Sequence, residues 1–372
     1  MIVSALWANY KCNIYNKFKN VINLSMMLLN SKIVFMLRGT MNKLEIEDII
    51  SVGELPYNWD KLSNKTIVIS GGTGFIGSFL CDVLRYRNSK YHQNIKIVCI
   101  SFSQLENDDT VTYIKADITE PVDVVGPVDF ILHMASNTHP EQYKTNPVGT
   151  ITANVFGTYN LLTLAKEKHS AKFILASSCE IYGNGNDEPM NELYCGYINC
   201  NTARAGYNES KRVSESLCQS FAQQYGIKSC VFRLARVFGA DRTKKDTKAM
   251  SQFIANALSN EDIILKSNGQ QKYSYIYIAD AASGILKVLL DGVSGEAYNI
   301  SADYDGTTLG GYAEFIASLN GNKVIYEIND DPNASRAINS LLDNSKIKAL
   351  GFKPMYTVKD GLKRTFNILR DK

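Results

Sequence analysis

Short apolar runs alternate with longer segments of helical periodicity from residue 66 to about residue 239. Strands are predicted over 66–70, 95–100, 111–114, 128–133, 172–176 and 229–233, and helices over 75–86, 147–168 and 207–225. Apolar strands that alternate with helices predict a mostly parallel sheet covered by helices on both faces. The predicted fold class is therefore α/β, with a doubly wound parallel sheet.

Beyond residue 239 the alternation becomes less regular. Helices are predicted over 247–258, 280–290, 309–319 and 358–369, and short strands over 263–265, 273–278 and 297–300. This pattern indicates a smaller C-terminal α/β lobe, residues 240–372, that closes over the open edge of a first domain, residues 60–239. Ligands of such sheets bind at the carboxyl ends of the strands, so we expect a cleft between the two parts.

The first strand leads into a glycine-rich turn, I-V-I-S-G-G-T-G-F-I-G at residues 67–77. Gly72, Gly74 and Gly77 match G-x-G-x-x-G, and Gly71, Gly74 and Gly77 match a looser spacing. Between a strand and a helix this pattern predicts a Rossmann-type dinucleotide site, with the phosphates at the helix N-terminus. The cofactor-binding candidates in this turn are Gly71, Thr73, Gly74, Phe75, Ile76 and Gly77.

Tyr207 and Lys211 are four residues apart on a predicted helix, so they share one face. An unperturbed tyrosine has a pKa of about 10, too high for a base at neutral pH. A nearby ammonium and a positive nicotinamide ring would lower that pKa by stabilising the phenolate. Tyr207 would then take a proton from a carbinol. The alternative is an ordinary pair of side chains on an amphipathic surface.

A third informative segment, S-S-C-E-I-Y-G at residues 177–183, directly follows a predicted strand. Ser178 and Glu180 should therefore lie at the carboxyl end of that strand, beside the cofactor. The Ser178 hydroxyl would bond the substrate oxygen and pass its proton to Tyr207. The alternatives are a turn residue for Ser178 and a solvated loop carboxylate for Glu180.

Composition excludes several other classes of function. The 372 residues carry a net charge of +3 with dispersed Lys and Arg, which predicts neither nucleic-acid nor membrane-surface binding. The eight cysteines form no C-x-x-C pairs, so we expect no metal site and no disulfides, as in a cytoplasmic protein. Residues 1–40 contain an apolar patch that polar residues interrupt, and they are interpreted as an extension outside the fold, with Met41 as an alternative start.

Taken in order, these three motifs resemble the extended short-chain dehydrogenase/reductases of the NAD-dependent epimerase/dehydratase family, which act on nucleotide sugars. The resemblance spans about residues 65–366 and includes A-D-I at 116–118, H-M-A-S at 133–136 and S-K-I-K-A-L-G-F-K-P at 345–354. It implies NAD as cofactor and a homodimer formed through the helices at 147–168 and 207–225. Further residues implied at the cofactor are Ser101, Asp117, Ile118 and Ala135.

Three chemistries occur in this family, and each begins with oxidation at C4 of the sugar, with Tyr207 as base and Lys211 and Ser178 assisting. The 4,6-dehydratases carry Asp-Glu after the Ser/Thr, and the 4-epimerases generally lack both carboxylates. UDP-glucuronate decarboxylases carry a small non-acidic residue and then Glu, which resembles Cys179-Glu180. UDP-glucuronate decarboxylation, giving UDP-xylose, is therefore the predicted reaction. The alternatives are 4,6-dehydration, 4-epimerisation or a non-catalytic nucleotide-binding scaffold.

Some positions depart from the decarboxylase pattern. Ala240-Asp241 replace a Pro-Arg pair, with Arg242 one place later, and Tyr273 replaces an arginine. Arg204, Arg236 and Arg242 are the predicted substrate-binding residues. Arg236 stands where many relatives have Asn, and it is interpreted either as a ligand of the substrate phosphates or as a salt-bridged arginine at a domain interface. Ser101 replaces the expected Asp at the end of the second strand, so NAD follows from the resemblance and not from this residue.

Overall fold

The computed structural model describes residues 41–103, 105–138, 143, 145–186, 188–241, 248–328 and 339–371. The predicted N-terminal extension, residues 1–40, and Arg242 lie outside them. The helices are α1 (Lys43–Gly53), α2 (Phe75–Tyr91), α3 (Pro147–Glu167), α4 (Ala205–Tyr225), α5 (Ala249–Leu258), α6 (Ile278–Asp291), α7 (Leu309–Ser318), α8 (Ser345–Ala349) and α9 (Val358–Arg370). The strands are β1 (Thr66–Ser70), β2 (Lys96–Ser101), β3 (Val111–Lys115), β4 (Phe130–His133), β5 (Lys172–Ser178), β6 (Ser229–Leu234), β7 (Arg236–Phe238), β8 (Ile263–Leu265), β9 (Lys272–Tyr273), β10 (Tyr275–Tyr277), β11 (Ala297–Ile300), β12 (Val324–Tyr326) and β13 (Asn339–Ser340).

Seven strands form one parallel sheet in the order β11-β6-β5-β4-β1-β2-β3. Strand β1 is buried along its whole length because apolar clusters cover both faces. Ile67 and Ile69 pack into the cluster that includes Leu80 of α2, whereas Val68 packs into the cluster that includes Leu161 of α3. The predicted doubly wound α/β fold is confirmed. Its strand order reverses beside β1, which leaves a crevice at the carboxyl ends of β1 and β4.

Helices α3 and α4 pack along each other on one face of the sheet and carry their own start and stop signals. The Asn146 side chain caps α3 by accepting from the Gly149 amide at 3.0 Å, and Pro147 occupies the first turn. Helix α4 ends at Gly226, whose φ of 71° suits glycine. A buried hydrogen bond of 2.9 Å from Asn154 Nδ2 to Ser210 Oγ joins the two helices, so the face of α4 that carries the site is fixed.

The residues after 239 contribute to both parts of the molecule. They supply α6 and the edge strand β11 to the main sheet, and they form small parallel pairs β10-β7, β12-β8 and β13-β9. The Arg236 amide donates to the Ser274 carbonyl at 3.1 Å, which fixes β7 against the β9–β10 segment. The division into a dinucleotide domain, 60–239, and a second lobe, 240–372, stays a prediction.

Most predicted elements agree with the observed ones to within two residues, and two differ by more than that or by a break. The strand expected over 273–278 is the pair β9 and β10, interrupted at Ser274, which donates and accepts bonds with the β13 segment and β7. Helix α2 continues to Tyr91 because Arg87 stacks on the Tyr91 ring at 3.8 Å and donates to the Gly53 carbonyl.

Within the described part of the chain, no helix is both long and apolar enough to cross a membrane.

Candidate active site

In the turn after β1, two glycine positions have no room for a side chain. Gly71 has a φ of +76°, and a Cβ there would lie 2.9 Å from the Ala135 amide nitrogen. A Cβ on Gly77 would collide with the Gly71 carbonyl oxygen. The turn therefore brings backbone from the ends of β1 and β4 together directly before α2, as a dinucleotide site requires.

The start of α2 offers free backbone donors to an anion. Gly74 is the N-cap and provides no side-chain cap, and the first turn, which contains Phe75 and Ile76, holds no acidic residue. The N–H groups of an uncapped first turn, together with the helix dipole, favour a phosphate. The residues present therefore fit the diphosphate of a dinucleotide.

The remaining cofactor candidates lie around the same edge of the sheet. Thr73 Oγ1 donates to Ser101 Oγ at 3.2 Å, so the end of β2 faces the glycine turn. Asp117 and Ile118 follow β3, and Ala135 follows β4. The structure thus brings all these residues to the carboxyl ends of β1 to β4, while their individual contacts with NAD stay predictions.

Tyr207 and Lys211 lie on the buried face of α4. Tyr207 is in the first turn and 6 % exposed, and Lys211 is one turn later and 3 % exposed. The Lys211 Nζ donates to the Ala176 carbonyl of β5 at 2.9 Å. Helix α4 therefore presents a phenol and an ammonium at the end of β5, which excludes the solvent-exposed alternative for this pair.

Burial dominates the acid–base properties of this pair. It raises the pKa of Tyr207 to about 12, although hydrogen bonding with Ser178 and Tyr143 acts in the opposite direction. Burial also lowers the pKa of Lys211 to about 8. In the polypeptide alone, desolvation of the phenolate outweighs the stabilising groups that the chain supplies. The predicted lowering of the tyrosine pKa includes the nicotinamide ring of NAD and stays a prediction.

Ser178 and Glu180 occupy the end of β5 and the one-turn 3₁₀ helix Cys179–Tyr182. Ser178 Oγ caps this turn by accepting from the Glu180 amide at 3.2 Å. Asn208 of α4 donates to the Glu180 carbonyl at 2.7 Å. Burial raises the pKa of the Cys179 thiol, which therefore stays protonated at neutral pH. The turn is thus fixed against α4, with Ser178 next to Tyr207.

Two of the three predicted substrate-binding arginines meet at Glu180. Arg204 Nη2 lies 2.7 Å from Glu180 Oε2, and Arg236 Nη2 lies 3.7 Å from Glu180 Oε1. The Arg236 guanidinium stacks on the Tyr273 ring at 3.9 Å. This contact agrees with the salt-bridge interpretation of Arg236. It also places a guanidinium against Tyr273, the residue that replaces the expected arginine.

Tyr143 is a site residue that the sequence did not reveal. It is 7 % exposed, and its ring stacks on that of Tyr207 with centroids 4.7 Å apart. The Arg204 guanidinium lies 4.9 Å from the centre of the Tyr143 ring. The family resemblance over about residues 65–366 includes this position but assigns no role to the ring.

His133 supports the crevice without taking part in proton transfer. Its Nδ1 lies 2.7 Å from Ser70 Oγ, and this bond links the ends of β4 and β1. Burial lowers the pKa of His133 to about 3, so the imidazole is neutral at physiological pH. The segment that begins at His133 therefore has a structural role beside the glycine turn.

Comparison with known proteins agrees with this geometry. The family model for the NAD dependent epimerase/dehydratase family matches residues 67–301. UDP-glucuronic acid decarboxylase 1 of Danio rerio is 32% identical over 313 residues, which cover 81% of this chain and 72% of the relative. UDP-glucuronic acid decarboxylase 6 of Arabidopsis thaliana is 34% identical over 313 residues, 81% of this chain and 87% of the relative.

Solved structures share the fold. A UDP-glucose 4-epimerase from Thermotoga maritima, solved with UDP-glucose, has a TM-score of 0.70 at 22% identity and covers 82% of this chain and 99% of its own. A dTDP-glucose 4,6-dehydratase from Streptomyces venezuelae, solved with NAD, has a TM-score of 0.69 at 22% identity, with 82% and 97% covered.

The matches confirm the predicted family, the resemblance to UDP-glucuronate decarboxylases and the prediction of an enzyme. NAD as cofactor is confirmed at the level of the family. The cofactor and catalytic roles of the glycine turn, the Tyr207–Lys211 pair and the Ser178 turn stay predictions. The chain belongs to the NAD-dependent epimerase/dehydratase family.

Proposed function

We propose that the protein decarboxylates UDP-glucuronate to UDP-xylose in an NAD-dependent reaction. One observation carries this proposal: Glu180 stands on the turn beside Tyr207, while the neighbouring Cys179 is buried and keeps its proton. A 4,6-dehydratase would need an acid at position 179 to expel the C6 hydroxyl. The decarboxylase names of the relatives support the same choice.

The proton transfers would be carried out by the chain itself. When bound, NAD accepts the hydride from C4 of the sugar, and the glycine turn, Ser101, Asp117, Ile118 and Ala135 would hold it. Tyr207 would take the proton from the C4 hydroxyl with help from Ser178. Lys211, mostly protonated at pH 7, would stabilise the phenolate form of Tyr207.

Oxidation at C4 makes the C6 carboxylate that of a β-keto acid. The C5–C6 bond then breaks, CO₂ leaves, and the electron pair passes to the C4 oxygen as an enolate. Tyr207 and Ser178 would hydrogen-bond that oxygen. Water would then supply a proton to C5, and Tyr207 would return its proton to the C4 oxygen as C4 is reduced again. Arg204 and Arg236 would bind the substrate, and Arg242 keeps its predicted role outside the described residues.

The 4,6-dehydratase alternative is favoured by the presence of Glu180, and it would have to use Cys179 as the acid. We predict that Cys179→Ala keeps UDP-glucuronate decarboxylation within about threefold of the native rate, because a buried thiol with a raised pKa is a poor acid. The measurement is the initial rate of UDP-xylose formation. A loss of about 100-fold or more would instead make Cys179 the proton donor.

The assembly and location follow from surface and thiol chemistry. Helices α3 and α4 expose several apolar side chains on their outer faces: Val148, Ile151, Phe156, Tyr159 and Val213. We infer that this surface forms a homodimer interface, and a monomer mass by light scattering at micromolar concentration would refute that.

The described cysteines are free thiols, and this is the basis for proposing a cytoplasmic location.

The decisive experiment incubates the full chain with NAD⁺ and a panel of UDP-, dTDP-, GDP- and CDP-sugars, followed by mass spectrometry. We expect UDP-glucuronate to lose 44 mass units, the mass of CO₂, with the other sugars unchanged. Loss of 18 units from another nucleotide sugar would transfer the assignment to a dehydratase. No mass change with any sugar leaves 4-epimerisation, visible by NMR, or a nucleotide-binding scaffold.

A further inference from the structure

The guanidinium of Arg236 has more donors than the described structure uses. We propose that Arg236, stacked on Tyr273, binds the carboxylate of the substrate sugar and so selects acidic over neutral nucleotide sugars. This inference rests on the proposed function, because it assigns a residue to the group that is lost as CO₂. It uses contacts of this chain that the catalytic steps do not involve.

Charge balance around Glu180 is the first argument. Arg204 holds Glu180 at 2.7 Å and also donates to Asn208 Oδ1 at 2.7 Å, so both terminal nitrogens of its guanidinium are engaged. Arg236 approaches Glu180 only to 3.7 Å, which is an ion pair without a hydrogen bond. Two cations therefore face one carboxylate in this cluster, and a second anion would balance it.

Unsatisfied hydrogen-bonding capacity is the second argument. Arg236 Nη1 is buried and has no hydrogen-bond partner among the described residues. A buried charged donor without a partner is costly, so such a group needs one from the protein, an ordered water or a bound ligand. The fork of a guanidinium matches the two oxygens of a carboxylate, and charge-assisted bonds of this kind are about twice as strong as neutral ones.

The surrounding strands hold this donor rigidly. Arg236 begins β7 and pairs in register with Tyr275 of β10, and the Tyr273 ring covers one face of its guanidinium. Stacking leaves the edge of a guanidinium, where its N–H groups point, available to a ligand. Arg236 is therefore a fixed, half-buried donor and not a mobile surface side chain.

Position in the site distinguishes the carboxylate from the substrate diphosphate. Arg236 lies against Glu180, whose backbone carbonyl accepts a hydrogen bond of 2.7 Å from Asn208, the residue after the proposed base Tyr207. The base must face C4 of the sugar. In a hexuronic acid the carboxylate carbon is attached to C5, next to C4, whereas the diphosphate is attached to C1 on the opposite side of the ring. The geometry thus favours the carboxylate.

The test measures binding without turnover, in full-length NAD-loaded protein carrying Tyr207→Phe. Calorimetric titration compares UDP-glucuronate, UDP-glucose, UDP-xylose and UDP. We expect UDP-glucuronate to bind about tenfold or more tightly than UDP-glucose or UDP-xylose, because it alone carries a carboxylate on the sugar. Adding Arg236→Gln should reduce that ratio to near one and leave the affinity for UDP within about twofold.

Two further variants separate a specific contact from charge or misfolding. Lys272→Gln removes an exposed positive charge next to Tyr273 and should leave the ratio unchanged. Arg236→Lys keeps the charge without the planar fork and should recover only part of the ratio. If Arg236→Gln fails to fold, Tyr273→Leu removes the stacking partner instead and should lower the ratio severalfold.

The outcomes distinguish this inference from the proposed function. Equal weakening of all four ligands by Arg236→Gln, including UDP, would overturn the inference in favour of diphosphate binding. An unchanged ratio in that variant would overturn it as well. If Arg236→Gln abolishes the ratio but the native protein, with Tyr207 in place, releases no CO₂ from UDP-glucuronate, the carboxylate site would be supported and decarboxylation refuted.

Discussion

Replacing Tyr207 by phenylalanine should lower the rate of CO₂ release from UDP-glucuronate by about 10²- to 10⁴-fold, the usual contribution of a general base. Tyr207 is buried beside Lys211 on one face of α4, and this phenol is the proposed base. Cofactor affinity should stay within about threefold, because the glycine turn and the start of α2 are untouched. The measurements are initial rates by mass spectrometry and NAD titration.

The matched control is Tyr225→Phe, the same change near the end of the same helix. Tyr225 is 43% exposed and lies far along α4 from the site, so turnover should be unchanged. If Tyr207→Phe kept turnover within threefold, the base would have to be another group. If turnover and NAD affinity fell together, the tyrosine would act mainly in cofactor binding.

The fold was predictable because its signals are local. Each core strand is an apolar run bounded by turn residues, and two of the flanking helices have a local end signal, Asn146 before α3 and Gly226 after α4. The placement of the candidate catalytic residues was predictable for a related reason. Ser178 directly follows its strand, and Tyr207 and Lys211 lie one turn apart, so spacing alone brings them to the correct edge and face.

What the sequence could not supply are contacts between separate elements. The stacking of Tyr143 on Tyr207 joins the segment before α3 to the start of α4. The contact between Arg236 and Tyr273 joins β7 to β9. No spacing rule relates such positions, because the path of the chain between them sets their separation. The raised pKa of Tyr207 was missed for the same reason, since it depends on burial by the whole fold.

Replacing Lys211 by methionine should lower turnover by about 10²- to 10³-fold, the usual loss when one preorganised charge or donor is removed from an active site. Without the ammonium, the phenolate of Tyr207 loses its cationic neighbour in a site where burial already opposes ionisation. Methionine is close to lysine in length and apolar, so it can occupy the buried space that the lysine stem fills. Initial rates of UDP-xylose formation would measure the loss.

The stability of Lys211→Met against unfolding should not fall together with its turnover. Burial lowers the pKa of Lys211 from 10.5 to about 8, so the folded state binds its proton less tightly than the unfolded state. That difference corresponds to a destabilisation of up to about 3 kcal/mol, fully present below pH 8. The bond to the Ala176 carbonyl offsets part of the gain from removing the charge. Lys211→Met should therefore be at least as stable as the native protein at pH 7.

The pH dependence of stability distinguishes an effect of the lysine charge from misfolding of the variant. Between pH 8 and 10.5 the unfolded state binds more protons at this lysine, so the native protein gains stability from this site as the pH rises. The advantage of Lys211→Met should therefore be largest at pH 7 and shrink above pH 8. Urea unfolding at pH 7, 8 and 9 would measure it. A variant that is inactive and also less stable at pH 7 would show that Lys211 supports the fold, whereas inactivity with retained stability assigns the lysine to function at the expense of stability.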